Sequence, residues 1–167
     1  MIEIISHRGN LSGPNPGLEN KPTQIELASK FFIVEVDIRK IKNEYFLGHD
    51  FPQHCVSLEW LNKHKSRLFL HCKNNEAYSC NKLAEFHRFV HENENTVTCS
   101  KGYIVKHPNF EPVKNSYNMM PEISEYETIE TVLESKAVCT DFPLYLSNIK
   151  KEKFGKYIKN QYRQISK

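Results

Sequence analysis

Short β-branched or aromatic runs alternate along the chain with stretches whose apolar residues recur every three or four positions, the pattern of βα units that build a parallel sheet. Residues 3–6 read as a first strand. The Gly/Pro/Asn-rich stretch 9–20 that follows is too long for a simple turn, and loops of that length usually carry function. Pro22 with Ile25, Ala28 and Phe32 predicts a helix packed by one face. Strands follow at 32–40 and 45–48, joined by a turn at Lys42, Asn43 and Glu44. Ser57 is placed to cap a short helix carrying Leu58 and Leu61. A strand at 67–73 precedes a helix expected over 76–89, with Ala77, Cys80, Ala84 and His87 on one stripe. Strands at 103–106, 117–120 and 137–140 and a helix at 127–135 complete the pattern, which grows shorter toward its end.

Side chains two apart in a strand share a face. In 33–38, Val34, Val36 and Ile38 form an apolar face, which leaves Glu35 and Asp37 together on the other. Two carboxylates side by side in a low-dielectric interior repel, and a cation between them removes the conflict. A hard, oxygen-liking ion such as Mg²⁺ or Ca²⁺ fits. In 68–73, Leu68, Leu70 and Cys72 share one face and Phe69, His71 and Lys73 the other. Ile5 and His7 share a face of the first strand, with Arg8 and Gly9 directly after. Three strands thus bring ionisable groups to one side and one end, the C-terminal end where barrels of this kind carry active sites. Imidazoles at His7 and His49 suit acid and base roles near neutral pH. Arg8 and Lys73 supply positive charge for a phosphate, so the inventory fits phosphodiester cleavage.

The 167 residues carry a net charge of +3 and are 39% hydrophobic and 26% charged, as expected of one domain spanning 1–167. No apolar run approaches the roughly 18 residues of a membrane helix. The start MIEIISHRG shows no export signal, and the five cysteines lack CxxC spacing, so a reduced, cytoplasmic setting is expected. Seven basic residues against one acid give 150–167 a charge of +6 and leave 1–149 at −3. Phe154, Tyr157, Ile158 and Ile165 recur at near-helical spacing there, so 150–167 reads as a basic C-terminal helix able to make weak contact with an anionic surface. The mildly acidic body makes nucleic acid an unexpected partner. For Tyr103 to Val105, Met119 to Glu122 and His91-Glu92, packing or loop capping is the expected role.

His7-Arg8-Gly9, Glu19-Asn20, Glu35-Val36-Asp37 and Gly48-His49-Asp50 occur in that order within the first 50 residues. They resemble the HRG, EN, ExD and GHD elements of the glycerophosphodiester phosphodiesterase family, within the phospholipase C-like phosphodiesterases. Cys72-Lys73 and Thr140-Asp141-Phe142-Pro143 resemble the family's E-x-K strand end and its TDxP turn. The resemblance implies a compact, trimmed TIM-type (β/α) barrel, since 167 residues fall short of the roughly 250 typical of a full one. It further implies a phosphoric diester hydrolase, with a lyase route to a cyclic phosphate also open. His7 and His49 become the acid/base pair, Glu35 and Asp37 metal ligands, Arg8 and Lys73 phosphate contacts, and Glu19 and Asn20 supports of Arg8 or the metal. His71 stands where the family has a third carboxylate, which widens the choice of ion to Mn²⁺ or Zn²⁺. The expected substrate is a small phosphodiester, a lipid head group or a glycan bearing glycerol phosphate. The alternative is a barrel that binds phosphate esters or a phosphorylated glycan without turning them over.

Overall fold

The computed structural model describes residues 2–149; the expected basic helix at 150–167 lies outside the described residues. The strands are β1 (Glu3–His7), β2 (Ile33–Ile41), β3 (Glu44–Leu47), β4 (His54–Val56), β5 (Leu68–Cys72), β6 (His87–Val90), β7 (Thr96–Thr98), β8 (Ile104–Lys106), β9 (Tyr117–Met119) and β10 (Ala137–Thr140). The helices are short: α1 (Pro22–Ala28), α2 (Leu58–His64), α3 (Asn75–Tyr78) and α4 (Ile129–Leu133), with a further helical stretch beginning at 143.

All ten strands join one sheet, ordered β4-β3-β2-β1-β10-β9-β8-β7, with β5 on β2 and β6 on β5. The parallel ladders run β6-β5-β2-β1-β10-β9-β8, while β3, β4 and β7 pair antiparallel. This corrects the expected TIM-type barrel. The sheet is an open half-barrel that curls through 201° with its edges 25 Å apart. Tight returns are the cause. The chain reverses at Lys42, whose φ of 54° suits a two-residue hairpin, and again at Gly102, with φ 80°. Each reversal spends a strand on an antiparallel pair where a closed barrel needs a helical crossover to the next parallel strand. Between β6 and β7 the contacts are local: Ser100 N–H donates to Arg88 O at 2.8 Å, and His87 Nε2 lies 3.3 Å from Cys99 Sγ.

The helix expected over 76–89 is replaced by α3, a 3₁₀ turn at Asn81–Leu83 and β6. Here tertiary pairing overrides a helix-like spacing. Leu70 and Arg88 pair across the parallel ladder, as do His71 and Phe89, so His87 and Phe89 enter the concave face.

Strand alternation sorts the core into two layers. Val34, Val36, Ile38, Leu68, Leu70 and Cys72 pack outward against Ile25, Ala28, Leu61, Ala77 and Leu83. Ile5, Phe69, Phe89, Val105, Tyr117, Met119 and Cys139 fill the concave side. An aromatic floor results: the Phe69 ring lies 4.7 Å from Phe89 and 5.5 Å from Tyr117 between centroids. Above it, at the C-terminal ends of the parallel strands, the lining turns polar.

Candidate active site and metal centre

Parallel register decides which polar groups meet. His7 on β1 pairs with Glu35 on β2, and Asp37 pairs with His71 on β5. Glu35, Asp37 and His71 are all buried and present ligand atoms within 4.8 Å of one another, close enough to hold one metal ion. His71 Nδ1 lies 3.1 Å from Asp37 Oδ1 and 3.7 Å from Glu35 Oε1. The ring is fixed by stacking on Phe89, at 4.5 Å and 11°. The donor set fits a cation on one observation in particular: among the described residues Glu35 Oε2 and Asp37 Oδ1 are buried acceptors without a well-directed hydrogen bond, His71 Nδ1 standing 3.1 Å from the latter. Buried acceptors left so are costly unless something positive completes them.

Electrostatics separate the two acids. Burial, then the neighbouring Asp37 charge, pushes the Glu35 carboxyl up. Burial also opposes ionisation of Asp37, but His71, Arg8 and Asn20 outweigh it and hold that carboxyl below the usual range. Arg8 Nε is 2.9 Å and Lys73 Nζ 3.9 Å from the Asp37 carboxylate. Asn20 donates from Nδ2 to Asp37 Oδ2 at 2.9 Å and accepts from Asp37 N–H at 3.0 Å. Arg8 and Asn20 both adopt left-handed backbone, φ 52° and 58°, a strain that clusters at functional sites. They are locked by Arg8 N–H donating to Glu35 O at 2.9 Å and Asn20 N–H to Arg8 O at 3.0 Å.

His7 is held from the neighbouring strand β10, on the side of β1 away from β2. Its Nδ1 lies 2.8 Å from Asp141 Oδ1, at the end of β10, which leaves Nε2 turned to the cluster, 3.9 Å from Glu35 Oε2. Burial lowers the affinity of His7 for a proton, but Asp141 and Glu35 more than compensate, so its pKa is raised. Asp141 is itself fixed by Asn10 Nδ2 at 2.7 Å and by its own N–H donating to Glu122 at 2.8 Å. Glu19 accepts from Arg8 at 3.1 Å and from Asn10 at 3.0 Å, tying the 9–20 loop to the site.

Of the residues expected at the site, His7, Arg8, Glu19, Asn20, Glu35, Asp37, His71 and Lys73 form this connected network. His49 stands apart at the rim, its side chain 41% exposed and its Nδ1 2.7 Å from Asp50. Burial and then Arg8 hold His49 toward its neutral form. The turn that presents it needs glycine, since a Cβ on Gly48, at φ 144°, would overlap the Phe51 carbonyl. The sequence reading gave no role to Asn10 and none to Asp141 as partner of His7. The signals for Asp141 were its place after a strand-like run and in the TDxP-like turn Thr140-Asp141-Phe142-Pro143.

No family model, no curated protein and no solved structure matches the chain. With the sheet open and mixed, the resemblance to the glycerophosphodiester phosphodiesterases is therefore withdrawn, and with it the TIM barrel and the specific glycerophosphodiester and lipid chemistry they implied. The metal-capable cluster stands without them. No helix among the described residues is long and apolar enough to cross a membrane.

Proposed function

We propose that the chain is a metal-dependent enzyme cleaving phosphoric diesters, with Glu35, Asp37 and His71 holding the cation. The observation that carries this reading is the pair of buried carboxylate oxygens left without a well-directed hydrogen bond among the described residues, Glu35 Oε2 facing the His7 imidazole that Asp141 anchors and Asp37 Oδ1 beside His71. When bound, the cation supplies positive charge to phosphoryl oxygens. Arg8 and Lys73, beside Asp37, orient the phosphate by charge and hydrogen bonds. His49, held toward its neutral form, takes a proton from the attacking hydroxyl, whether of water or of the substrate itself. His7, its pKa raised, gives a proton from Nε2 to the leaving alkoxide, and Asp141 steadies its imidazolium. Attack by a substrate hydroxyl gives a cyclic phosphate, and attack by water gives the open product.

The test is turnover of bis(p-nitrophenyl) phosphate by the wild type with Mg²⁺, Ca²⁺, Mn²⁺ and Zn²⁺ in turn, beside Asp37→Asn. Metal-dependent turnover that falls on the order of 10³-fold in the variant, about 4 kcal/mol of barrier, supports the reading. A wild type inert with all four ions, its thermal midpoint unmoved by any of them, overturns it.

A further inference from the structure

Beyond the Glu35/Asp37/His71 centre, the mouth of the half-barrel holds a second set of imidazoles. His91 follows β6 and His107 follows β8, so each continues the inward-facing register of its strand, after Phe89 and Val105 respectively. Their rings stack face to face, 3.2 Å between centroids and 12° apart in plane. His71 lies beside them, 6.2 Å from His91 between centroids. It forms the wall between this pair and the carboxylates.

Two hydrogen-bonding facts set the pair apart from packed histidines. His91 Nε2 meets the Glu94 carbonyl at 2.7 Å. A carbonyl only accepts, so that nitrogen carries the proton and Nδ1 keeps the lone pair. His107 Nε2 is buried with no hydrogen-bond partner among the described residues. Two imidazoles brought together, one with a free lone pair and one with an unanswered buried nitrogen, lack what a metal ion supplies. The carbonyl on His91 is also the outer contact that commonly fixes a ligating histidine.

We propose that His91 and His107 form a second cation site, nitrogen-only and selective for a borderline transition ion such as Zn²⁺, Cu²⁺ or Ni²⁺ over Mg²⁺ or Ca²⁺. His91 stays on the Glu94 carbonyl, and the His107 ring turns on its own side-chain torsion out of the stack to bring its free nitrogen to an ion at His91 Nδ1. Among the described residues only Glu35, Asp37 and His71 converge as a group of three potential ligands. Solvent or substrate therefore completes the shell at His91 and His107, the open coordination of an exchangeable site and not of a structural one.

The experiment is Zn²⁺ titration of the full chain by calorimetry, with Cu²⁺ paramagnetic resonance to count coordinated nitrogens. Wild type, His107→Gln, His91→Gln and Glu35→Gln/Asp37→Asn are compared, with circular dichroism confirming the fold of each. The expected result is two equivalents of Zn²⁺ in the wild type and one in each variant. The nitrogen-only Cu²⁺ signal survives in Glu35→Gln/Asp37→Asn and disappears in His107→Gln. Excess Mg²⁺ leaves that signal unchanged. A His107→Gln protein that keeps both equivalents, or a Cu²⁺ signal lost with the carboxylates, overturns the proposal. Because the carboxylate variant isolates the imidazole pair, failure at one site is read separately from failure at the other.

Discussion

Two clusters of buried charge lie on opposite faces of the same sheet, and they are built differently. On the outer face, Lys106 from β8 and Asn118 from β9 converge on Glu127: Lys106 Nζ at 2.6 Å and Asn118 Nδ2 at 2.7 Å serve Oε1, and Thr131 Oγ1 at 2.6 Å serves Oε2. Both members of that ion pair are 1% exposed in their side chains, and each carboxylate oxygen has a donor. On the concave face, Glu35 and Asp37 are as deeply buried, yet among the described residues each keeps an oxygen without a well-directed hydrogen bond. Satisfaction of the carboxylates, more than burial, separates them, although Asn118 Oδ1 in the first cluster is also buried without a partner among the described residues. The first cluster ties the chain segment before α4 to the sheet; the second is left incomplete where a ligand can finish it.

The largest expected effect breaks this contrast at its closed end. Lys106→Met leaves Glu127 buried without its cation and costs about 3 to 5 kcal/mol in urea unfolding. Glu35→Gln relieves repulsion with Asp37 and costs less than about 1 kcal/mol in the same assay. Equal losses in the two variants would mean that both clusters serve the fold alone.

Next comes Asp141→Asn, which sharpens the view of the open cluster. An amide can present its N–H to His7 Nδ1 and so withdraw support from the imidazolium, with the fold left intact. Turnover of the diester probe drops about 10²-fold or more, with kcat carrying the loss while KM and cation affinity hold. A fall in KM-linked binding or in metal affinity alone would assign Asp141 to packing.

A smaller effect is expected from Asn20→Gly, which keeps the left-handed backbone but removes both bonds to Asp37. Cation affinity measured by calorimetry falls about 10-fold, as for other outer contacts of a metal ligand. Unchanged affinity would show that Arg8 alone orients Asp37.

These contrasts also explain what could be read in advance. Alternation is a local property, so the inward placement of Glu35, Asp37, His71 and His7 follows from residues two apart in single strands. Closure of a sheet is not local. Hairpins at Lys42 and Gly102 turned a predicted barrel into an open one, and neither turn announces which strand the returning chain will join. Ala77, Cys80, Ala84 and His87 carry helical spacing, yet pairing with β5 made the last of them a strand residue. Lys106 and Glu127 lie 21 positions apart, and charges so placed look solvated until the fold encloses them. The same holds for Asp141, 134 positions from His7.

The smallest effect concerns a buried imidazole that, unlike His7, has no carboxylate to support a charge. His87 is 8% exposed on the aromatic floor, its ring 4.2 Å from Phe69 and 5.2 Å from Tyr117. Its nearest polar partner is the Cys99 thiol. Burial, with Lys101 nearby, pushes its pKa down to about 4, against roughly 6.5 in an unfolded chain. The unfolded state therefore takes up a proton that the folded state refuses. The contribution of neutral His87 is complete above pH 6.5 and is lost as pH falls from there toward 4. Screening by the solvent that still reaches the ring brings the expected loss to on the order of 1 kcal/mol. His87→Phe keeps the ring and removes the titration, so urea midpoints taken between pH 7 and 4.5 should decline less steeply than in the wild type. Parallel curves for the two proteins would place the acid sensitivity elsewhere and leave His87 as packing alone.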